Sequence, residues 1–227
     1  MRLLAITTAT DVCGIALTEN NQLVAEYVLN RKNVHNEKLI SAIQNLVAEA
    51  GWQLTDLSGL ALVTGPGSFT GLRIGLAAAK GLAFVLDIPV LSVNSLDALA
   101  QAVNFWSGRI CVVIKARATE VYFGLYEKDS EILRRCGDYR IMPLREAIEN
   151  LSERTFVVCP TELAMENLDS EKIVWAPADY RVIRPFTVAQ MGYEKLLKKE
   201  TADLDSLEPF YLKDFEPKRK VYDYDKR

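Results

Sequence analysis

The chain has 227 residues, a net charge of −3 with histidine neutral, 49% hydrophobic residues and 25% charged ones. That length holds one large domain or two small lobes, the composition is that of a globular chain, and the slight acidity excludes a whole-chain drive toward nucleic acid. No run approaches the roughly 20 apolar residues of a membrane helix, and Met1–Ile6 turns polar at Thr7-Thr8, too soon for a signal-peptide core, so a cytoplasmic protein with no membrane partner is expected.

Residues 2–8, 12–19 and 22–30 read as three strands, with Asn20-Asn21 as a hairpin turn between the second and third. From 36 to 50, Leu39, Ile40, Ile43, Leu46, Val47 and Ala50 recur at the spacing of one helix face, and Gly51 stops the helix. A polar link at 55–58 leads to a strand at 59–64. Then comes the densest stretch of the sequence, Gly65-Pro66-Gly67-Ser68-Phe69-Thr70-Gly71-Leu72-Arg73-Ile74-Gly75, opening a helix from 69 to 86. Its glycines and hydroxyls read as a phosphate cradle at a helix N-terminus or as a tight turn. Within the helix, Gly71, Gly75 and Ala79 share a face that admits a close neighbour, either the chain's own sheet or a partner. A strand at 90–93 and a helix at 96–103, capped by Asn94-Ser95, complete a first lobe over 1–103.

A second, smaller lobe is expected over 104–202. Strands are predicted at 110–114 and 121–126, a third within 131–141, a helix from Pro143 to 151, a strand at 155–159, a helix at 161–168, a short strand at 173–175 and a helix capped by Thr187. Each lobe starts with strands and continues by alternating helix and strand. This is an α/β chain of two tandem lobes, with mixed sheets, flanking helices and the character of an internal duplication. The polar tail, 203–227, mixes both charges and reads as a solvated end or a basic RNA-contacting arm.

Chemistry-bearing clusters are sparse. Cys13, Cys111, Cys136 and Cys159 form no C-x-x-C pair and sit mostly among apolar residues, so they read as reduced, buried thiols. His35 is the single histidine, which excludes a multi-histidine metal centre from this chain alone. With no nucleophile or second histidine to work with, it reads as a helix-start residue rather than a base.

Two tandem lobes of this order resemble the actin, Hsp70 and sugar-kinase fold, which holds ATP between its lobes. Against that pattern the first hairpin has Thr7 where a metal-facing carboxylate would fall, and the second, Ile114 to Glu120, has no glycine. The phosphate apparatus reads as eroded.

Four stretches carry a closer resemblance: Ile6-Thr7-Thr8-Ala9-Thr10, the run from Gly65 to Gly75, Ala79-Lys80-Gly81-Leu82-Ala83 and Val93-Asn94-Ser95-Leu96-Asp97-Ala98-Leu99. Together they closely resemble the bacterial TsaB (YeaZ) family, densely over 1–126 and thinly beyond. Val121-Tyr122 and Pro209-Phe210-Tyr211-Leu212 fit as well. The resemblance implies a non-catalytic subunit that supports threonylcarbamoyladenosine formation beside the anticodon of tRNAs reading codons that begin with A. The implied partners are a TsaD-like transferase, a TsaE-like ATPase and a second copy of the chain, with tRNA met through the complex.

The paralogous TsaD proteins carry H-x-x-x-H where this chain has Ser95 and Leu99, so no metal or cofactor of its own is expected, and ATP and metal are expected on the TsaD-like partner. The resemblance also implies an interface of two helices, which resolves the packing of the small-residue face toward a partner. Its expected residues are Leu39, Ile43, Leu46, Gly71, Arg73, Gly75 and Ala79. The chain departs from the family at Thr7 and Ala9, and at Lys115-Ala116-Arg117, where Asp-Ala-Arg is usual. A stand-alone ATP-dependent or peptidase-like enzyme of the same fold is the alternative.

Overall fold

The computed structural model describes residues 1–31, 35–160 and 171–212, with the side chains of 35–37 outside the description. The first sheet comprises β1 (Arg2–Thr7), β2 (Val12–Glu19), β3 (Gln22–Asn30), β4 (Gly59–Gly65) and β5 (Val90–Asn94) in the order β3-β2-β1-β4-β5. The β1–β2 and β2–β3 pairs are antiparallel; β1–β4 and β4–β5 are parallel. Asn20 and Asn21 turn the β2–β3 hairpin with φ of 49° and 66°, the two left-handed residues of a tight hairpin whose twist suits its strands.

The second sheet repeats the scheme. β6 (Gly108–Lys115), β7 (Glu120–Lys128), β8 (Leu133–Arg135), β10 (Thr155–Val158) and β11 (Ile173–Trp175) lie in the order β11-β10-β6-β7-β8. β6–β7 is antiparallel, while β10–β6 and β10–β11 are parallel. Strand for strand, β6 corresponds to β1, β7 to β2, β10 to β4 and β11 to β5. The duplication expected from element order is thus present in the pairing. The strand expected within 131–141 is two short ones, β8 and β9 (Arg140–Pro143), both antiparallel to β7 and separated by Gly137 at φ 81°. The helix expected at 161–168 lies outside the described residues.

Helices sort by layer. α1 (His35–Glu49) and α2 (Phe69–Leu86) cover the outer face of the first sheet, and α4 (Leu144–Glu149) that of the second. α3 (Ser95–Ala102) and α5 (Pro185–Leu197) fill the space between the sheets. The strand sequences explain the sorting. In β1, β2 and β4 the alternation puts Leu4, Ile6, Ile15, Leu17, Leu60 and Leu62 against α1 and α2, and the small Ala5, Ala16 and Ala61 against the inter-sheet helices. The small face lets α5 approach closely: a β-carbon at Gly192 would lie 2.5 Å from that of Ala61.

α5 is therefore not a helix of the second lobe, as its place in the sequence suggested, but the inner cover of the first sheet. α3 packs in turn on β6 and β7. The two lobes share one continuous core, running from Ala5 and Val63 through Leu96 and Leu99 to Ile110, Val112 and Val188. α5 begins at Pro185, with Arg184 rather than Thr187 as its N-cap. The Glu26 carboxylate of β3 accepts the Phe186 N–H at 2.9 Å and pairs with Arg184, placing negative charge at the helix N-terminus.

The segment after Asp203 also departs from expectation as far as it is described. Ala202 bridges Val90, Leu204 and Leu207 pack beside the α1–α2 core, and the Phe210 N–H donates to the Thr64 carbonyl at 2.8 Å. Up to Leu212 it is a strap along the first sheet rather than a solvated tail; the basic stretch 213–227 lies outside the described residues.

Candidate functional site

The Gly-rich run connects β4 to α2 tightly. Ser68 caps α2, its hydroxyl accepting the Gly71 N–H at 3.2 Å, and its own N–H donates to the Ala9 carbonyl at 2.7 Å. The glycines are steric necessities. A β-carbon at Gly67 would overlap the Ala9 carbonyl, one at Gly71 the Thr8 carbonyl and one at Gly75 the Thr8 hydroxyl. The loop thus holds the β1–β2 hairpin to the start of α2.

The same packing takes most of the expected interface residues inside the chain. Gly71, Gly75 and Ala79 are buried against the chain's own first strand and hairpin, and Leu39, Ile43 and Leu46 belong to the core beneath α1 and α2. These six residues are inward, because a small-residue stripe serves an adjacent strand as well as an adjacent helix. Of the expected set only Arg73 is exposed, its guanidinium 3.8 Å above the Phe69 ring.

The outward side of the same helix pair is mixed, with its exposed large apolar side chains at Ile40, Phe84 and Val85. Thr70, Arg73, Ala77, Gly81 and Phe84 form one exposed stripe at helical spacing. Phe84 and Val85 are 80% and 79% exposed, and Ile40 of α1 adds a further 48% exposed side chain. Along the first half of α2 a groove of about 510 Å³ runs between Ile40, Phe69, Ile74 and Ala78. Grouped exposed apolar side chains mark interaction sites. α2 is also, among the described residues, the one helix long and apolar enough to cross a membrane by composition, yet its inner face is committed to the sheet through Leu72, Gly75 and Ala79.

A second concave region lies between the lobes. A cavity of about 370 Å³ is walled by residues of the β1–β2 hairpin, the start of α2, the β6–β7 hairpin and the segment before α5. Lys115, Arg117 and Arg181 line it, with Asp11. Ala118, at the tip of the glycine-free hairpin, takes the left-handed φ of 44° that glycine would take at less cost. Thr7 is fully buried, its hydroxyl without a hydrogen bond among the described residues.

On α3, Ser95 and Leu99 are both fully buried, Leu99 inside the inter-lobe core. A hydroxyl and an isobutyl group in dry packing do not fit a metal. Their neighbour Asp97 is engaged otherwise: its carboxylate accepts the Tyr126 hydroxyl at 2.8 Å and the Tyr139 hydroxyl at 2.8 Å. Burial first, and then the Asp97 charge, push both phenols well above their ordinary value. No sequence pattern announces this cluster, since its members come from α3, β7 and the link before β9. Cys13, Cys111 and Cys159 are buried and reduced, Cys136 is half-buried, and burial raises the Cys111 thiol strongly. The His35 side chain lies outside the described residues.

The duplicated sheet order, the shared core and the Gly-rich launch of α2 define a two-lobed α/β class. The family model described as TsaD, tRNA N6-adenosine threonylcarbamoyltransferase, matches residues 22–187. A Bacillus subtilis protein named tRNA threonylcarbamoyladenosine biosynthesis protein TsaB is 34% identical over 220 residues, covering 94% of each chain. The solved structure of YeaZ from Pseudomonas aeruginosa superposes with a TM-score of 0.81 at 28% identity, over 93% of this chain and 99% of that one. A further structure, of a protein described as similar to peptidase YeaZ from Pseudomonas aeruginosa, gives 0.79 at 26% identity, over 93% and 99%. The chain belongs to the TsaB family.

Proposed function

We propose that this chain is a non-catalytic subunit in tRNA threonylcarbamoyladenosine biosynthesis, acting on the adenosine beside the anticodon of tRNAs that read codons beginning with A. It docks on a TsaD-like transferase, and in competition on a second copy of itself, and holds the transferase in its active shape. ATP and metal belong to the transferase, a TsaE-like ATPase joins the same cytoplasmic assembly, and tRNA is met through the complex.

The observation that carries this reading is the exposed outer side of α2, with Phe84 and Val85 about four-fifths exposed near its C-terminal end. Two adjacent large apolar side chains left this exposed on one helix are the kind of surface that marks an interaction site. Family membership gives the process, and the buried Ser95 and Leu99 supply no metal ligands for the transfer chemistry. The interface proposed is thus the opposite side of the helix pair from the small-residue face. Reconstitution of tRNA modification from TsaD-like and TsaE-like subunits, with and without this chain, tests it. Modification should require the chain, and unchanged activity in its absence would remove the proposal.

A further inference from the structure

The strap of residues 203–212 is pinned at several points as it crosses to the start of α2. Lys80 of α2 donates from Nζ to the Asp205 carbonyl at 3.3 Å, and the Asp203 carboxylate accepts the Ser206 hydroxyl at 2.6 Å. Further on, Phe210 donates its N–H to the Thr64 carbonyl at 2.8 Å. The Phe210 carbonyl sits so near Gly65 that a β-carbon there would lie 2.7 Å from it, and the Phe210 ring meets the Tyr139 ring edge-on at 5.8 Å. A backbone held in this way delivers the next side chain, Tyr211, to Phe69. Their ring centroids are 5.6 Å apart and their planes 30° from parallel.

Phe69 is the first residue of α2, and Arg73 stands one turn along on the same side. The Arg73 guanidinium lies 3.8 Å above the Phe69 ring. Both line the groove along the first half of α2, where Arg73 is the one charged residue of the described lining. Tyr211, Phe69 and Arg73 thus form a chain of contacts from the strap to the outer side of the helix. An exposed arginine left to itself samples many rotamers, and ordering it on association costs affinity. A guanidinium already seated on an aromatic face has part of that cost removed. Arginine is also among the side chains that dominate interface energies. We propose that Tyr211 is a positioning residue for the partner surface: it holds the Phe69 ring, and through it the Arg73 guanidinium, in the arrangement that a TsaD-like subunit meets. This role rests on the docking function of the outer side of α2, and it makes the strap, which lies outside the helix pair, a determinant of affinity.

Calorimetry of the full chain with a TsaD-like subunit, for the parent, Tyr211→Ala, Arg73→Ala and the double variant, tests the proposal. Each single substitution should weaken binding by about threefold to tenfold. The double variant should bind no more weakly than Arg73→Ala, because the two act through one side chain. Loss of packing alone would instead lower affinity equally with and without Arg73. Tyr211→Phe keeps the ring and should bind as the parent does. Where Tyr211→Ala melts below the working temperature, Tyr211→Leu, which fills the space without a flat face, takes its place with the same expectation. Parent-like binding by the Tyr211 variant overturns the proposal, and so does additivity of the two substitutions. Phe84→Asp reports on the docking function alone: weakened binding there beside parent-like binding by Tyr211→Ala removes only the proposal, whereas a parent chain that does not bind the subunit removes both.

Discussion

Gly71 rests on the carbonyl oxygen of Thr8, with no room for a β-carbon between α2 and the β1–β2 hairpin. Gly75 meets the Thr8 hydroxyl one turn later. Gly71→Ala and Gly75→Leu should therefore destabilise the folded monomer itself. Overpacking of this kind costs about 1–3 kcal/mol, or roughly 2–4 °C of melting temperature per kcal/mol in a chain of this size. Thermal unfolding at concentrations low enough to exclude association measures it; a weakened dimer with unchanged melting would contradict the packing described.

The outward stripe predicts the reverse pattern. Phe84→Asp and Val85→Asp place charge on exposed positions, where surface substitutions usually change stability by no more than about 0.5 kcal/mol. Sedimentation should show weakened association with itself and with a TsaD-like subunit, while the melting temperature holds.

The shared carboxylate of Asp97 predicts an alkaline limb in stability. Tyr126 and Tyr139 are held above their ordinary value of 10.0 in the folded chain, so above pH 10 the unfolded chain loses protons that the folded chain keeps. Stability is then full below that pH and falls as pH rises through the folded values. Urea unfolding of Tyr126→Phe/Tyr139→Phe should give a less stable protein at neutral pH and a shallower fall above pH 10. An alkaline limb as steep as the parent's would assign the loss to other groups.

The strap of residues 203–212 predicts that ending the chain at Ala202 lowers the melting temperature. It removes the Phe210–Thr64 hydrogen bond and the packing of Leu204, Leu207 and Tyr211. Differential scanning calorimetry of the shortened chain decides the matter, and an unchanged transition would mean the strap adds nothing.

Local signals carried much of the fold. The bounds of α2 follow from the tight Gly-rich turn that opens it and the helix-forming run from Leu76 to Lys80, and the first three strands from their alternation and the Asn-Asn turn. What was not legible was which element covers which face. The small residues Ala5, Ala16 and Ala61 announce a close helix without saying that it is α5, more than 120 residues on in the chain. The same limit hid which face of α2 turns inward. Helical spacing finds both stripes of α2, the glycine one and the Ala77-Gly81-Phe84 one, but only the position of Thr8 decides which faces inward. Lys115 and Arg117 stood out in the sequence as departures from a family pattern. Arg181 joins them only because the chain returns past the cleft on its way into α5.

That return has a consequence for synthesis. The first sheet is finished when Asn94 leaves the ribosome, but its alanine-lined face waits for Pro185 to Leu197. At about 5–20 residues per second, roughly 5–20 s pass with that face lacking its native cover. A chaperone that recognises bare sheet should meet the nascent chain in that interval, and a circular permutant that places 185–212 ahead of Met1 should shorten its need for help.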